Sequence, residues 1–312
     1  MATMRTVTQE ELGGPEVLKI GETERPEPGA GEILVKVHAA GTNPVDWKVR
    51  THGGLLGDRP PFTVGWDVSG TVEAVGFGVR LYRVGDEVFG LPRFPQFAGG
   101  YSEYVTAPTR HFAPKPAALS HVEAAALPLA GLTAHQALVD IARVEPGQKV
   151  LVHAAAGGVG HLAVQIAKAK GAYVIGTASA AKHEFLRSIG ADEVIDYTAA
   201  DFGELLSDLD IVIDAFGGDD YTARSAKVLR DGGVLVTLPG PAELAEPEQA
   251  RIASGFMLVE PDLNGLKAIA ELVESGKLTP TVSETYALED AAKAQESLAS
   301  GRTIGKIVLT VA

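Results

Sequence analysis

Val150-Leu151-Val152-His153-Ala154-Ala155-Ala156-Gly157-Gly158-Val159-Gly160-His161-Leu162-Ala163-Val164-Gln165-Ile166-Ala167-Lys168 is the stretch that decides the fold. An apolar run ends in small residues, and a helical pattern begins directly after them. Val159, Leu162, Ala163, Ile166 and Ala167 recur at helical spacing and are expected to face a sheet. Gly171 stands where a C′ glycine ends a helix. The stretch therefore reads as strand, glycine-rich turn and helix, with His153 ending a buried strand and His161 on the exposed side of the helix. A side chain at Gly157 or Gly158 would hold the backbone away from a pyrophosphate. Gly160 lets helix and strand approach, and the helix N-terminus offers N–H donors and the positive end of a dipole. Ala156, Gly157, Gly158, Val159 and Gly160 are the expected contacts to a dinucleotide.

Downstream the pattern repeats. Strands are expected at Tyr173–Gly176, Glu193–Asp196, Asp210–Asp214 and Val234–Leu238, and helical patterns follow each of the first four strands of the series. Alternation of this kind implies βαβ units and a doubly wound parallel sheet, an α/β Rossmann domain. An NAD-selective turn carries an acid about 20 residues on, bonding the ribose 2′-hydroxyl. Here that stretch is Gly176-Thr177-Ala178-Ser179-Ala180-Ala181-Lys182. It has no acid, and Ser179 and Lys182 suit a 2′-phosphate, so the expected cofactor is NADP(H). Alternatively, Ser179 merely caps a helix and Lys182 is solvated. Tyr197, ending the next strand, adds a hydroxyl. Phe216 and Gly217 follow the fourth strand, where parallel sheets bind ligands, and Phe216 reads equally as a cofactor wall or as core. Leu238, closing the fifth strand, completes the expected cofactor set.

The first third is different. Short apolar runs at Ile33–Val37, Val68–Val75 and Asp86–Phe89 lie between Gly, Pro and Asp punctuation, which suggests a compact β-rich domain. Ser120 and Glu123 have capping-box spacing, so a helix is expected to start there. Helices Leu263–Ser275 and Leu288–Ser300 and a strand Lys306–Val311 are expected near the C-terminus. The 312 residues carry a net charge of −13, no cysteine and no basic tract. That balance disfavours nucleic acid and anionic lipid as partners. The N-terminus lacks signal-peptide character, and no apolar run is long enough to span a bilayer. A cytoplasmic protein is the expectation.

Several motifs in order resemble one family: Gly41-Thr42-Asn43-Pro44-Val45-Asp46, Pro61-Phe62-Thr63-Val64-Gly65-Trp66-Asp67-Val68-Ser69-Gly70, Val84-Gly85-Asp86-Glu87-Val88, Gly131-Leu132-Thr133-Ala134, the turn at Ala154–Gly160, Gly190-Ala191-Asp192 and Gly301-Arg302-Thr303-Ile304-Gly305-Lys306. Together they resemble the zinc-independent quinone oxidoreductases, the zeta-crystallin-like group of the medium-chain dehydrogenase/reductase superfamily. The resemblance implies a GroES-like catalytic domain over 1–123, completed by 277–312, and a Rossmann NADP-binding domain over 124–276. It implies hydride transfer from NADPH to a quinone or activated enone, in a homodimer joined through the Rossmann sheet edge, expected at Val234–Leu238 and Phe256–Val259.

Zinc-dependent members carry Cys near position 43 and Gly-His-Glu at 65–67. Asn43, Trp66 and Asp67 stand there instead, so no metal is expected. The resemblance places Asn43 beside nicotinamide and substrate carbonyl, and Thr133 at the nicotinamide face. Asp46 is expected in the site as a structural pair with Arg50. Trp47 or His52 is expected to shape the pocket. Where some members carry a tyrosine, this chain has Gly53-Gly54-Leu55-Leu56, an open apolar mouth, and no general acid stands out. Arg302 and Lys306 are read either as reaching the cofactor or as structural. Two other readings stay open: a low-turnover NADPH-binding structural or RNA-associated protein, and a methyltransferase built on the same turn.

Overall fold

The computed structural model describes residues 2–241 and 243–311. The chain divides into two compact units: Met1–Leu132 with Glu260–Glu274 and Pro280–Ala312, and Thr133–Val259 with Ser275–Thr279.

In the first unit, β1 (Thr3–Thr8) and β2 (Lys19–Glu24) form an antiparallel pair. The hub is β3 (Glu32–Gly41), whose Ile33, Val35 and Val37 are fully buried. It pairs along its length with β4 (Asp67–Val75), which carries β5 (Glu87–Gly90). Through Glu32–Lys36 it also pairs with β6 (Tyr104–Pro108), while β7 (Phe112–Pro114) pairs with β5. After β3 comes α1 (Pro44–His52). The expected capping box holds: Ser120 and Glu123 open α2 (His121–Ala125), and α3 (Pro128–His135) follows.

The second unit is a six-stranded parallel sheet. Along the chain run β8 (Lys149–Val152), α4 (Gly160–Ala169), β9 (Tyr173–Thr177), α5 (His183–Ser188), β10 (Glu193–Ile195), α6 (Phe202–Leu205), β11 (Leu209–Asp214), α7 (Asp219–Lys227), β12 (Leu229–Thr237), α8 (Glu246–Arg251) and β13 (Ala253–Phe256). The strand order is β10-β9-β8-β11-β12-β13, so the winding reverses between β8 and β11. Ligands bind at such reversals, outside the carboxyl ends of the strands. The chain then returns through α9 (Leu263–Glu274), β14 (Val282–Ala287), α10 (Ala291–Ala299) and β15 (Lys306–Thr310). β15 pairs with the end of β3 and carries β14 at the edge of the first unit's larger sheet.

Three expectations need correction. His161 is fully buried, not on an exposed face. Every residue of α4 from Gly160 to Ala167 is buried, because its other side is covered too. There Gln165 donates to the Thr279 carbonyl and accepts from the Thr279 N–H. The sheet edge is β13, at Ala253–Phe256 rather than Phe256–Val259, and Val234–Leu238 is interior because β12 pairs on both sides. Finally, α9 belongs to the first unit rather than to the Rossmann domain. Its buried Leu266, Ile269 and Val273 form one apolar face, and its Glu274 accepts the Ala117 N–H.

The glycine-rich turn is a backbone-on-backbone contact. A Cβ at Gly160 would lie 2.3 Å from the Ala154 carbonyl oxygen and 2.7 Å from the Ala155 Cα. Neither atom can step aside as a flexible side chain can. Gly160→Ala is therefore expected to destabilise the second unit by about 2 kcal/mol, within the usual range for overpacking. A thermal melt unchanged from the parent would show that the turn yields.

Candidate active site

In the first unit the sequence-predicted residues Asn43 and Asp46 meet in one buried cluster. Asn43 is the N-cap of α1, and Asp46 is its third residue. The Asp46 Oδ2 accepts the Asn43 backbone N–H at 2.6 Å and the Tyr101 hydroxyl at 2.7 Å. The carboxylate thus helps to cap the helix through the Asn43 backbone N–H. The Asn43 Nδ2 donates to Asp67 Oδ2 at 2.8 Å, and its Oδ1 accepts from Lys306 Nζ at 2.5 Å. Lys306 also donates to the Thr42 carbonyl at 2.7 Å and pairs with Asp67 Oδ2 at 3.1 Å. The other Asp67 oxygen accepts from the Leu129 N–H at 2.6 Å, in the first turn of α3. Lys306 is 3% exposed and Asp67 is fully buried. Removing one partner of such a pair typically costs about 3–5 kcal/mol, since a buried charge is left behind.

The expected Asp46–Arg50 pair does not form. Asp46 spends one oxygen on Asn43 and Tyr101, and among the described residues its Oδ1 has no hydrogen-bond partner. Arg50 Nε and Nη1 likewise have no hydrogen-bond partner among the described residues. Burial pushes the Asp46 carboxyl up to about 7, against the pull of its Tyr101 and Asn43 hydrogen bonds. Burial and the neighbouring Asp46 hold the Tyr101 phenol well above its ordinary range. Neither Tyr101 nor the true partners of Lys306 were foreseen. The Gly305-Lys306 motif was the one signal for the second, and nothing local pointed to the first. Lys306 spends its donors inside this cluster. His52, Leu55 and Leu56 are exposed, and Trp47 is half-buried.

These donors do not suit zinc. Asn43, Trp66 and Asp67 offer one carboxylate, and an ammonium already sits against it. Trp66 is fully buried with its Nε1 donating to the Gln96 carbonyl.

In the second unit the expected cofactor residues share one edge. The strands β8 to β12 end at Val152, Thr177, Ile195, Asp214 and Thr237, in matching register. Ala156–Gly160, Ser179, Lys182, Tyr197, Phe216, Gly217 and Leu238 all follow those ends. Ala156 and Gly160 are buried, whereas Gly157, Gly158 and Val159 are half-exposed, so the turn presents its backbone. A Cβ on Gly157 would stand 3.2 Å from the Ala154 carbonyl oxygen, a tight approach to backbone on that surface. The residues present thus fit a pyrophosphate. Across the reversal, Asp214 Oδ1 accepts from the Phe216 and Gly217 N–H groups and shapes the second turn. Phe216 is 64% exposed and so is not core, although its ring meets Tyr221.

Ser179 is half-buried, and its side chain makes no capping bond to the short helix it precedes. Burial lowers the Lys182 ammonium from its ordinary value. An acid does come near this loop, since Asp196 accepts the Ala180 N–H, but its other oxygen is taken by Thr198. His153 is fully buried between Thr177 and Ser225 hydroxyls, and burial brings its pKa down to about 4, leaving it neutral. Thr133 is buried on α3, the helix along which the chain passes from the first unit to the second.

Two family models match: the alcohol dehydrogenase GroES-like domain over residues 29–117 and the zinc-binding dehydrogenase over 189–309. The quinone oxidoreductase of Mus musculus is 34% identical, across 98% of this chain and 97% of its own. The structure of the quinone oxidoreductase from Coxiella burnetii superposes with a TM-score of 0.92 at 37% identity, all of both chains being covered. A mycobacterial protein solved as its NADPH complex superposes with a TM-score of 0.86 at 32% identity, over 99% of this chain and 100% of that one. With near-complete coverage at these identities, and with both domains in place, the chain belongs to the quinone oxidoreductase, zeta-crystallin-like group of the medium-chain dehydrogenase/reductase superfamily.

Proposed function

We propose that this chain is an NADPH-dependent oxidoreductase that reduces quinones or activated enones without a metal. The observation that carries the reading is the Asn43 cluster. It offers an amide donor, which does not titrate, in a setting where the one cation is already neutralised by Asp67. When bound, NADPH supplies the hydride. Charge that develops on the acceptor's oxygen then needs a fixed hydrogen-bond donor, and Asn43 is that donor in our reading. Gly157, Gly158 and the N-terminus of α4 hold the pyrophosphate, with Ala156 and Val159 flanking it. Ser179, Lys182 and Tyr197 take the 2′-phosphate. Thr133, Phe216, Gly217 and Leu238 line the nicotinamide side. Asp46 touches no reacting atom in this reading and acts by holding Asn43 in place.

The reduction is tested by absorbance at 340 nm with a panel of quinones and enones. Consumption of NADPH with at least one acceptor is expected, and no consumption with any would sink the reading. Tight NADPH binding without turnover would favour the alternative of a structural binding protein. Loss of the charge-assisted bond in Lys182→Ala is expected to weaken NADPH by about 10-fold or more while leaving NADH nearly unchanged. Equal weakening of both would mean that Lys182 does not select the phosphate.

The edge strand β13 is exposed along its whole length, and an uncovered edge invites pairing. We therefore propose a homodimer through β13, for which light scattering should report twice the chain mass.

Asp46 predicts a pH dependence. The folded chain holds its proton more tightly than the unfolded chain, where the ordinary value is 3.8. Its stabilising contribution is thus full below that value and is lost as pH rises through about 7. Asp46→Asn should lack this slope, so its melting temperature should gain on the parent's between about pH 5 and about pH 8. A constant difference across that range would refute the titration.

A further inference from the structure

We propose that Lys306 is a positioning residue for the reduction: its ammonium fixes the Asn43 amide with the oxygen turned inward, so that Asn43 meets an acceptor only as a hydrogen-bond donor. This rests on the function proposed above. An ammonium has three N–H groups, and Lys306 has three acceptors, the Thr42 carbonyl, Asn43 Oδ1 and Asp67 Oδ2. Lys306 therefore has no N–H left for a substrate and is not itself the donor. Asn43 Nδ2 carries two hydrogens. One goes to Asp67, and no other described residue takes the second.

The same contacts fix which end of the amide is which. Rotating it by half a turn would set its NH2 against the ammonium, now 2.5 Å from Oδ1, and its oxygen against a carboxylate 2.8 Å away. Both contacts would be repulsive at once. The orientation is thus enforced by a cation on one side and an anion on the other. Asp67 alone would favour the same orientation, but the amide could then swing toward its single partner. Lys306 supplies the second point of attachment.

The backbone holds Lys306 in register for this task. Its N–H donates to the Thr281 carbonyl at 2.9 Å. The next residue, Ile307, accepts through its carbonyl from both the N–H and the hydroxyl of Thr42. The start of β15 is thereby fixed against the residue preceding Asn43. Gly305 makes the approach possible, since its φ is +68° and a Cβ there would meet the Thr281 carbonyl oxygen at 2.2 Å.

A purely structural Lys306 would only neutralise buried Asp67, and charge restoration separates the two roles. Lys306→Met alone strands a carboxylate and is expected to melt early. The double variant Lys306→Met/Asp67→Asn buries no charge and is expected to recover most of the melting temperature. With the quinone or enone acceptor that serves the parent best, its kcat should stay about 100-fold down, the usual scale for losing one aligned donor, and below that of Asp67→Asn alone, which keeps Lys306 on the Asn43 oxygen, while its KM for NADPH stays unchanged. If kcat returns together with thermal stability, the positioning role is overturned.

A second readout does not depend on turnover. In 15N-labelled parent protein the Asn43 side-chain amide, assigned by its loss in Asn43→Asp, should show two widely separated proton shifts and slow exchange with water. In the double variant these should collapse toward the values of a free amide. An amide pair that is already averaged in the parent, or unchanged in the double variant, overturns the proposal. If the parent reduces no acceptor, the proposed function fails, and the amide signals alone then decide the role of Lys306.

Discussion

A carboxylate and an ammonium placed together out of water impose more on this chain than any other contact. Neither Asp67 nor Lys306 can be left alone, because an unpaired buried charge costs several kcal/mol, about half of a typical domain's net stability. The pair therefore has to be completed, and completing it requires four segments to be in place. Asp67 opens β4, and Lys306 opens β15. The Thr42 carbonyl and Asn43 lie at the end of β3 and the start of α1, and the Leu129 N–H belongs to α3. A register slip in β15 would move Lys306 to the other face of its strand and break all of these bonds together. The ion pair is in that sense a registration device for the first unit, as well as the electrostatic frame of Asn43.

The second unit is organised by a different constraint, the approach of two stretches of backbone. Gly160 lets the first turn of α4 lie against Ala154 and Ala155, with no room for a side chain between. That contact sets where the helix N-terminus points. The reversal of strand order then puts a second turn, shaped by Asp214, on the other side of the same crevice. In the glycine-rich turn no side chain is needed, so the donors it presents are backbone N–H groups, which stay donors at any pH.

What was legible in the sequence was what is local in the chain. The Gly157–Gly160 turn, the Ser120–Glu123 capping box and the C′ glycine at Gly171 each depend on residues within a few positions of one another, and each stands as read. The same locality explains the misreadings. A helical wheel assigned His161 to solvent because it assumed a single covering sheet, whereas Thr279 and its neighbours cover the other face from a distant part of the chain. The expected pairing of Asp46 with Arg50 fails because Asp46 is spent on the helix N-terminus and on Tyr101, 55 residues away. Lys306 reaches Asn43 across 263 positions, and no spacing rule connects them. The family motifs did mark both residues, which says that they matter but not that they touch.

The cluster also bears on how a reductase of this superfamily can work without a metal. A zinc ion acts on an oxygen by coordinating it and drawing off charge directly. Lys306 cannot imitate that, because its three N–H groups are committed and its side chain is buried. Its charge is also cancelled at short range by Asp67, so little net field is left to act at a distance. What survives the cancellation is direction. An amide clamped between a cation and an anion is a fixed dipole, and a fixed dipole needs no reorganisation when charge appears in front of it. In this reading the polar groups that replace the metal's ligands do not replace its charge. They replace the one thing an amide in water lacks, which is a settled orientation.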